Sequence, residues 1–304
     1  MLSPDEFYRQ ALEGISALRD GAPELVSMLD YYEGVLRAQQ ETGSSFEPDL
    51  DGFDAELCGQ RVEEGRPVLA PDDIEIDAKL FDALFERICE LARQGTEAGD
   101  LPGSPLEKLA DDGWREAAVK GLLADAVLLD EIADRAGIDR GVFALLTSHA
   151  LAPFLERYAA GLGEEIDASA WGKGQCPVCG GAPLMARLEE ETGKRRLQCG
   201  LCRTEWDFKR VACPFCGTED QEKLRYFFDE KDDIYRVEVC DECKGYLKTI
   251  DARKAEREIV LLVEDLATVH LDLIARREGF VGRVGARSGP GEGEHKAGER
   301  ASGG

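Results

Sequence analysis

The chain has 304 residues, 43% hydrophobic and 33% charged, with a formal net charge of −25 and a pI near 4.5. That length suggests about two domains, and the acidity argues against nucleic acid as a partner because it repels phosphate backbones and anionic lipid surfaces. No apolar run approaches the roughly 20 residues that span a bilayer, so membrane insertion is not expected.

Residues 1 to about 165 read as helical. The start, MLSPDEFYRQAL, has no basic segment leading into an apolar stretch and a cleavage site, so the expected location is cytoplasmic. Ser3-Pro4-Asp5-Glu6 combines an N-cap serine, a proline at the first helical position and a glutamate three residues after the cap, followed by Phe7, Leu12, Ile15 and Leu18. Residues 43–73, with Pro48, Pro67 and Pro71, read as loop or short extended pieces. Ser104-Pro105-Leu106-Glu107 repeats the start signature and predicts one helix, carrying Leu109, Trp114, Val119, Leu122, Leu129 and Ile132, until Gly137 closes it. A further helix from Asp139 to about Ala160 is expected to kink or restart at Pro153.

Residues 171–250 change character. They hold 14 Lys plus Arg against 15 Asp plus Glu, so the acidity lies mostly elsewhere. Cys176-Pro-Val-Cys179-Gly180 matches Cys213-Pro-Phe-Cys216-Gly217 at an offset of 37 residues, and the pairs Cys199/Cys202 and Cys240/Cys243 lie 41 apart. This is an internal duplication, each copy reading as knuckle, β-hairpin, knuckle, with turns at Glu191-Thr192-Gly193 and Lys231-Asp232-Asp233. After it, REIVLLVEDLATVHLDLIARREGF begins as a short apolar run. It continues as an amphipathic helix with Leu266, Val269, Leu273 and Ile274 on one face. The Gly-rich segment from 281 has few large apolar side chains and is expected to be disordered.

Ten cysteines in a chain expected in a reducing compartment argue for metal ligation or redox chemistry rather than disulfides. Two Cys-x-x-Cys knuckles joined by a hairpin supply four soft donors for a tetrahedral ion. The duplication pairs Cys176, Cys179, Cys199 and Cys202 as one site, and Cys213, Cys216, Cys240 and Cys243 as the other. Gly180 and Gly217 suit a positive φ that would aim an amide at a sulfur. Zinc and iron both accept such cages, and the cysteine pattern does not choose between them. A thiol oxidoreductase would need a Cys-x-x-Cys at a helix N-terminus, whereas all four pairs adjoin hairpins.

Other candidates favour structural roles. Cys89, in the series Phe81, Leu84, Phe85, Ile88, reads as a buried small hydrophobe, and Cys58 lies outside any Cys-x-x-Cys pair. His149 and His270 read as hydrogen-bonded core histidines, and His295 falls in the tail. Trp206 and Tyr246, after the second knuckle of each copy, are expected to shield the metal sites. Without an acid/base pair, phosphate loop or nucleophile in recognisable context, the chain does not read as an enzyme.

CPVCGGAP, RLQCGLCRTEWDFKRVACPFCG, YRVEVCDECKGYLKTID and LATVHLDLIARREGF resemble, in order and spacing, the formate dehydrogenase accessory protein family FdhE over residues 171–280. The resemblance implies an assembly factor acting in the cytoplasm on the catalytic subunit of respiratory formate dehydrogenases before export. That client carries a molybdenum cofactor and a selenocysteine or cysteine. It also implies rubredoxin-like modules with the eight knuckle cysteines as ligands, and favours iron over zinc for the two mononuclear ions.

The fold expected is α+β, a helical domain (1–165), tandem rubredoxin- or zinc-ribbon-like four-cysteine modules (166–250), a C-terminal strand and helix segment (251–280) and the tail (281–304). The rival function is a zinc-ribbon nucleic-acid-binding or transcription-associated protein.

Overall fold

The computed structural model describes residues 2–95, 101, 103–109, 113–163, 166–229, 232–255 and 257–282. Its first part is a helical body of α1 (Pro4–Gly21), α2 (Val26–Ser44), α3 (Ala55–Glu63), α4 (Ala78–Gly95), α5 (Trp114–Leu123), α6 (Ala126–Ala136) and α7 (Arg140–Gly161). The start signature of α1 is realised: the Ser3 side chain accepts from the Glu6 amide. In α4, Phe81, Leu84, Phe85, Ile88, Cys89 and Ala92 recur at the spacing of one helix face and are all buried.

The long helix expected after Ser104 does not form. Pro105–Glu107 is a single 3-10 turn, and the chain then folds as α5 and α6, packed on each other. Asp125 breaks the run by accepting from the Leu128 amide as a new N-cap. A Cβ on Gly121 would meet the Leu129 backbone nitrogen at 2.8 Å, so the two helices approach as closely as glycine allows. Gly137 closes α6 in the left-handed region, φ 70°, as expected. The segment read as loop contains α3, capped by the Asp54 carboxylate on the Leu57 amide at 2.9 Å. Its neighbouring prolines lie outside the helix and masked it.

Pro153 neither ends nor restarts α7. A proline lacks the N–H that would bond the carbonyl four residues earlier, which belongs to His149. The buried Gln39 of α2 supplies the donor instead, Nε2 to the His149 oxygen at 2.7 Å. Tertiary packing thus replaces the missing helical bond.

The second part is one six-stranded sheet in the order β3-β2-β1-β6-β5-β4. The strands are β1 (Pro183–Leu188), β2 (Arg195–Cys199), β3 (Glu205–Phe208), β4 (Leu224–Asp229), β5 (Asp232–Cys240) and β6 (Tyr246–Asp251). Each copy of the duplication is an antiparallel three-stranded unit, and the parallel pairing of β1 with β6 joins them. Strand alternation gives the sheet two faces. Ala186, Leu197, Trp206 and Phe208 share a core with the helical body, while Met185, Val237, Val239 and Ile250 pack against the C-terminal helices.

Those helices are α8 (Leu261–Ala267) and α9 (Val269–Arg277), divided at Thr268. The apolar run before them forms no strand; it leads directly into α8. The inward face also differs from expectation. Leu266, Leu271 and Ala275 are buried, whereas Leu273, Ile274 and His270 are exposed, so His270 is not a core histidine. The break at Thr268 shifts the helical phase between α8 and α9. A buried Lys248 from β6 holds the pair with Asp265 at 2.8 Å and Asp272 at 2.6 Å. Leu262 and Leu266 then pack on Phe7, Tyr8 and Ile15, tying the C-terminal helices to α1. Residues 283–304, most of the expected tail, and His295 lie outside the described residues. Val281 bonds the Lys244 carbonyl at 2.7 Å and pairs with Gly245.

Candidate metal centres

Among the described residues, ligand atoms of His, Cys, Asp or Glu converge in two groups, Cys176/Cys179/Cys199/Cys202 and Cys213/Cys216/Cys240/Cys243, each within 4.8 Å. This is the grouping the duplication predicts. Cys58 and Cys89 stay in the helical body, where burial pushes the Cys89 thiol up to about 12.

All four knuckles repeat one backbone design. The amide of the first cysteine bonds a carbonyl five residues on: Cys176 to Gly181, Cys199 to Thr204, Cys213 to Thr218 and Cys240 to Gly245, at 2.9–3.0 Å. The residue after the second cysteine is always left-handed: Gly180 and Gly217 at φ 75°, Arg203 at 61° and Lys244 at 56°. The glycines meet the predicted conformation, but their amides bond the carbonyls of Cys176 and Cys213 rather than sulfur. Sulfur receives other amides, from Val178 and Leu201 at 3.4 and 3.3 Å in the first group and from Gly245 at 3.4 Å in the second.

Four sulfurs around one ion at 2.3 Å lie about 3.8 Å apart along the edges of the tetrahedron. The first group has sulfur–sulfur separations of 3.5 Å and the second 3.6 and 3.7 Å, close to those edges. Burial pushes the Cys176 thiol well up, so a buried tetrathiolate requires a cation to exist. Geometry and donor chemistry therefore fit a thiophilic ion in each group.

Their surroundings differ. The first group is buried throughout, its cysteines 0–2% exposed. Its first knuckle extends the body's loop, with the Val68 and Leu69 amides bonding the Pro177 and Val178 carbonyls at 2.8 Å. In the second group Cys216 is exposed and Cys243 half-buried. Trp206 shares the core of the first group and donates Nε1 to the Lys173 carbonyl at 3.1 Å. Tyr246 does not play the matching part. It points to the opposite face of the sheet, packs with Met185 and donates to Asp272 at 2.8 Å. The equivalent of Trp206 in the second copy is Leu247, four residues after the knuckle, and a one-residue offset on a strand reverses the face.

Two charged connections escaped the sequence reading. Arg203 bonds the Glu156 carboxylate of α7 at 3.2 Å and lies over the Phe7 ring, while the Tyr8 hydroxyl donates to the same carboxylate at 2.6 Å. Burial pushes Glu156 up to about 7 against the pull of Arg203. The buried Arg195 of β2 pairs with Glu238 of β5 and donates to the Ala212 carbonyl at 2.9 Å, locking the two copies together. A knuckle-by-knuckle comparison would have marked Arg203, which occupies a glycine position. Nothing in the sequence pairs Arg195 with a residue so distant.

Comparisons with known proteins agree with this architecture. Residues 175–210 match the family "FdhE, central domain" and residues 211–287 match "FdhE, C-terminal domain". The chain is 27% identical over 276 residues to the Protein FdhE homolog of Aquifex aeolicus, covering 89% of this chain and 91% of that one. It is 30% identical over 303 residues to the Protein FdhE homolog of Pseudomonas aeruginosa, covering 92% and 89%. The crystal structure of the FdhE protein from Pseudomonas aeruginosa shares the fold, with a TM-score of 0.64 at 24% identity over 94% of this chain and 96% of that one. From its two cysteine clusters to its helical body, the chain belongs to the FdhE family.

Proposed function

We propose that this chain is an accessory protein for the assembly or maturation of respiratory formate dehydrogenase. In this reading it binds the precursor of the catalytic subunit in the cytoplasm and is not itself an enzyme. The observation that carries the reading is the pair of convergent four-cysteine groups, fused in one sheet and docked on a helical body, in a chain of the FdhE family.

Cys176, Cys179, Cys199 and Cys202 would hold one ion, and Cys213, Cys216, Cys240 and Cys243 the other. Rubredoxin-type iron is the proposed metal, with zinc as the alternative. Bound metal would supply folding free energy to modules with little core of their own, and iron would add one-electron redox capacity. A surface shaped by the metal-folded modules, rather than a reacting side chain, then recognises the client. The net charge of −25 favours basic patches on a protein client over nucleic acid.

The test is co-purification of the tagged chain with the catalytic-subunit precursor. Wild type should retain the precursor, and Cys213→Ser should lose one metal and the precursor together. Binding that survives loss of the metal refutes the coupling; absence of binding by the fully loaded chain refutes the client.

A further inference from the structure

The two groups hold the same four donors in unlike settings. The first is closed apart from a recess of about 20 Å³ at Cys202, with the body's loop along one knuckle and Arg203 and Glu156 over the other. The second has Cys216 at the surface, on a separate recess with Phe215 and Gly217, and a cavity of about 390 Å³ reaches the group itself along Cys213 and Cys240. Arg195, Arg210, Arg225 and Arg236 line that cavity against one carboxylate, Glu238. Arg195 and Arg236 share Glu238, Arg225 is held by Asp241, and Arg210 donates to the Gly193 carbonyl. Four cations against Glu238 and Asp241 give the outer lining of this mouth a surplus of two positive charges in a chain of net charge −25, facing the −2 of a four-thiolate cage holding a divalent ion at its floor.

We propose that the second group is an exchangeable metal site entered through this cavity, which admits anionic donors such as carboxylates and thiolates, while the first group is a closed structural site. In an exchange, the incoming donor's lone pair forms a bond to the ion. One cysteine thiolate departs with the electron pair of the bond it leaves, and no oxidation state changes. Cys216 is the sulfur with room to depart. A cage buried on all sides offers an incoming donor no such route, and a positive cleft raises the local concentration of anions. The inference rests on the eight cysteines holding metal, but not on the formate dehydrogenase reading.

The test uses the full chain loaded with zinc and challenged with the polyanionic chelator EDTA or the neutral chelator 1,10-phenanthroline. Zinc release is followed in time, and pulses of iodoacetamide read by mass spectrometry identify which cysteines are freed. EDTA should release zinc in two phases of one equivalent each, the faster by about tenfold or more, with labelling first at Cys216 and its group. Arg210→Gln should slow the fast EDTA phase by about fourfold, the Coulomb factor for one charge about 10 Å from a dianion in water. Its phenanthroline kinetics should match wild type, which also shows that the variant is folded. In wild type, added salt should slow EDTA but not phenanthroline.

A single phase, or first labelling in the Cys176 group, overturns the exchangeable assignment. An EDTA rate indifferent to both salt and Arg210→Gln overturns anionic entry. A chain that takes up no zinc overturns the metal reading itself, and stoichiometry before the challenge shows that case separately.

Discussion

Arg203 and Lys244 occupy the same knuckle position in the same left-handed conformation, yet the forces on them differ. Relaxing a non-glycine residue from that conformation is worth about 1 kcal/mol. For Arg203→Gly this gain is set against a lost buried hydrogen bond to Glu156, about 1–3 kcal/mol, and a lost cation over the Phe7 ring, about 1 kcal/mol; Glu156, already pushed up to about 7, takes up a proton rather than stay charged without its cation. The expected result is destabilisation by about 1–3 kcal/mol in denaturant titration. Lys244→Gly removes a surface pair with Asp241 and an exposed cation over the Phe280 ring, together worth about as much as the relaxed backbone returns, and should leave stability near wild type. Equal effects at the two positions would contradict this ranking.

His149 offers a second test at this scale. It is half-buried beside the Tyr31 hydroxyl at 3.1 Å, and loss of water around the ring pushes it down from 6.5 to about 3. The unfolded chain therefore takes up a proton first as the pH falls. Stability from this residue is complete above pH 6.5 and is lost from there toward pH 3, by about 1.4 kcal/mol per unit. Stability measured at pH 7 and pH 5 should show a shallower loss in His149→Gln than in wild type.

Among the elements, the knuckles and hairpins were the most legible, because cysteine spacing reports local geometry; the second hairpin's turn falls earlier than expected, since Asp232 and Asp233 already belong to β5, and Lys231 lies outside the described residues. The cap at Ser3 and the stop at Gly137 were legible for the same reason. Elements decided by distant partners were not. Pro153 stays helical because Gln39 reaches across from α2, and α3 forms between prolines that pointed to loop. The inward face of α9 depends on a break at Thr268 that the run of Leu and Val conceals. The eight cysteines could be grouped from the duplication, but their unequal burial could not be read from two matching motifs.

That inequality should separate the modules on substitution. Cys199→Ser opens a group continuous with the body's core and should lower Tm by roughly 10 °C or more. Cys216→Ser, at the surface, should lower it by only a few degrees. Thermal unfolding with metal content measured on the same samples decides this, and comparable losses would contradict it.

At the scale of the molecule, one continuous core joins the helical body to the first module, and α8 and α9 brace the opposite face of the sheet against α1. The same core runs on into the second module through Cys213, Phe215, Cys240 and Leu247, and the β1–β6 pairing and Arg195 with Glu238 also fasten that module to the first. Among the described residues, no helix is long and apolar enough to cross a membrane. This arrangement holds both four-cysteine groups on one frame of sheet and helices.

Metal analysis with a visible spectrum, on protein purified anaerobically from its native host, tests the central claim most directly. The account predicts two ions per chain, falling to one in Cys176→Ser and to one in Cys213→Ser, with thiolate-to-iron charge-transfer bands where the metal is iron. Two colourless zinc ions would keep both centres and remove the redox capacity. A chain that carries no metal, or keeps both ions after either substitution, would contradict the account.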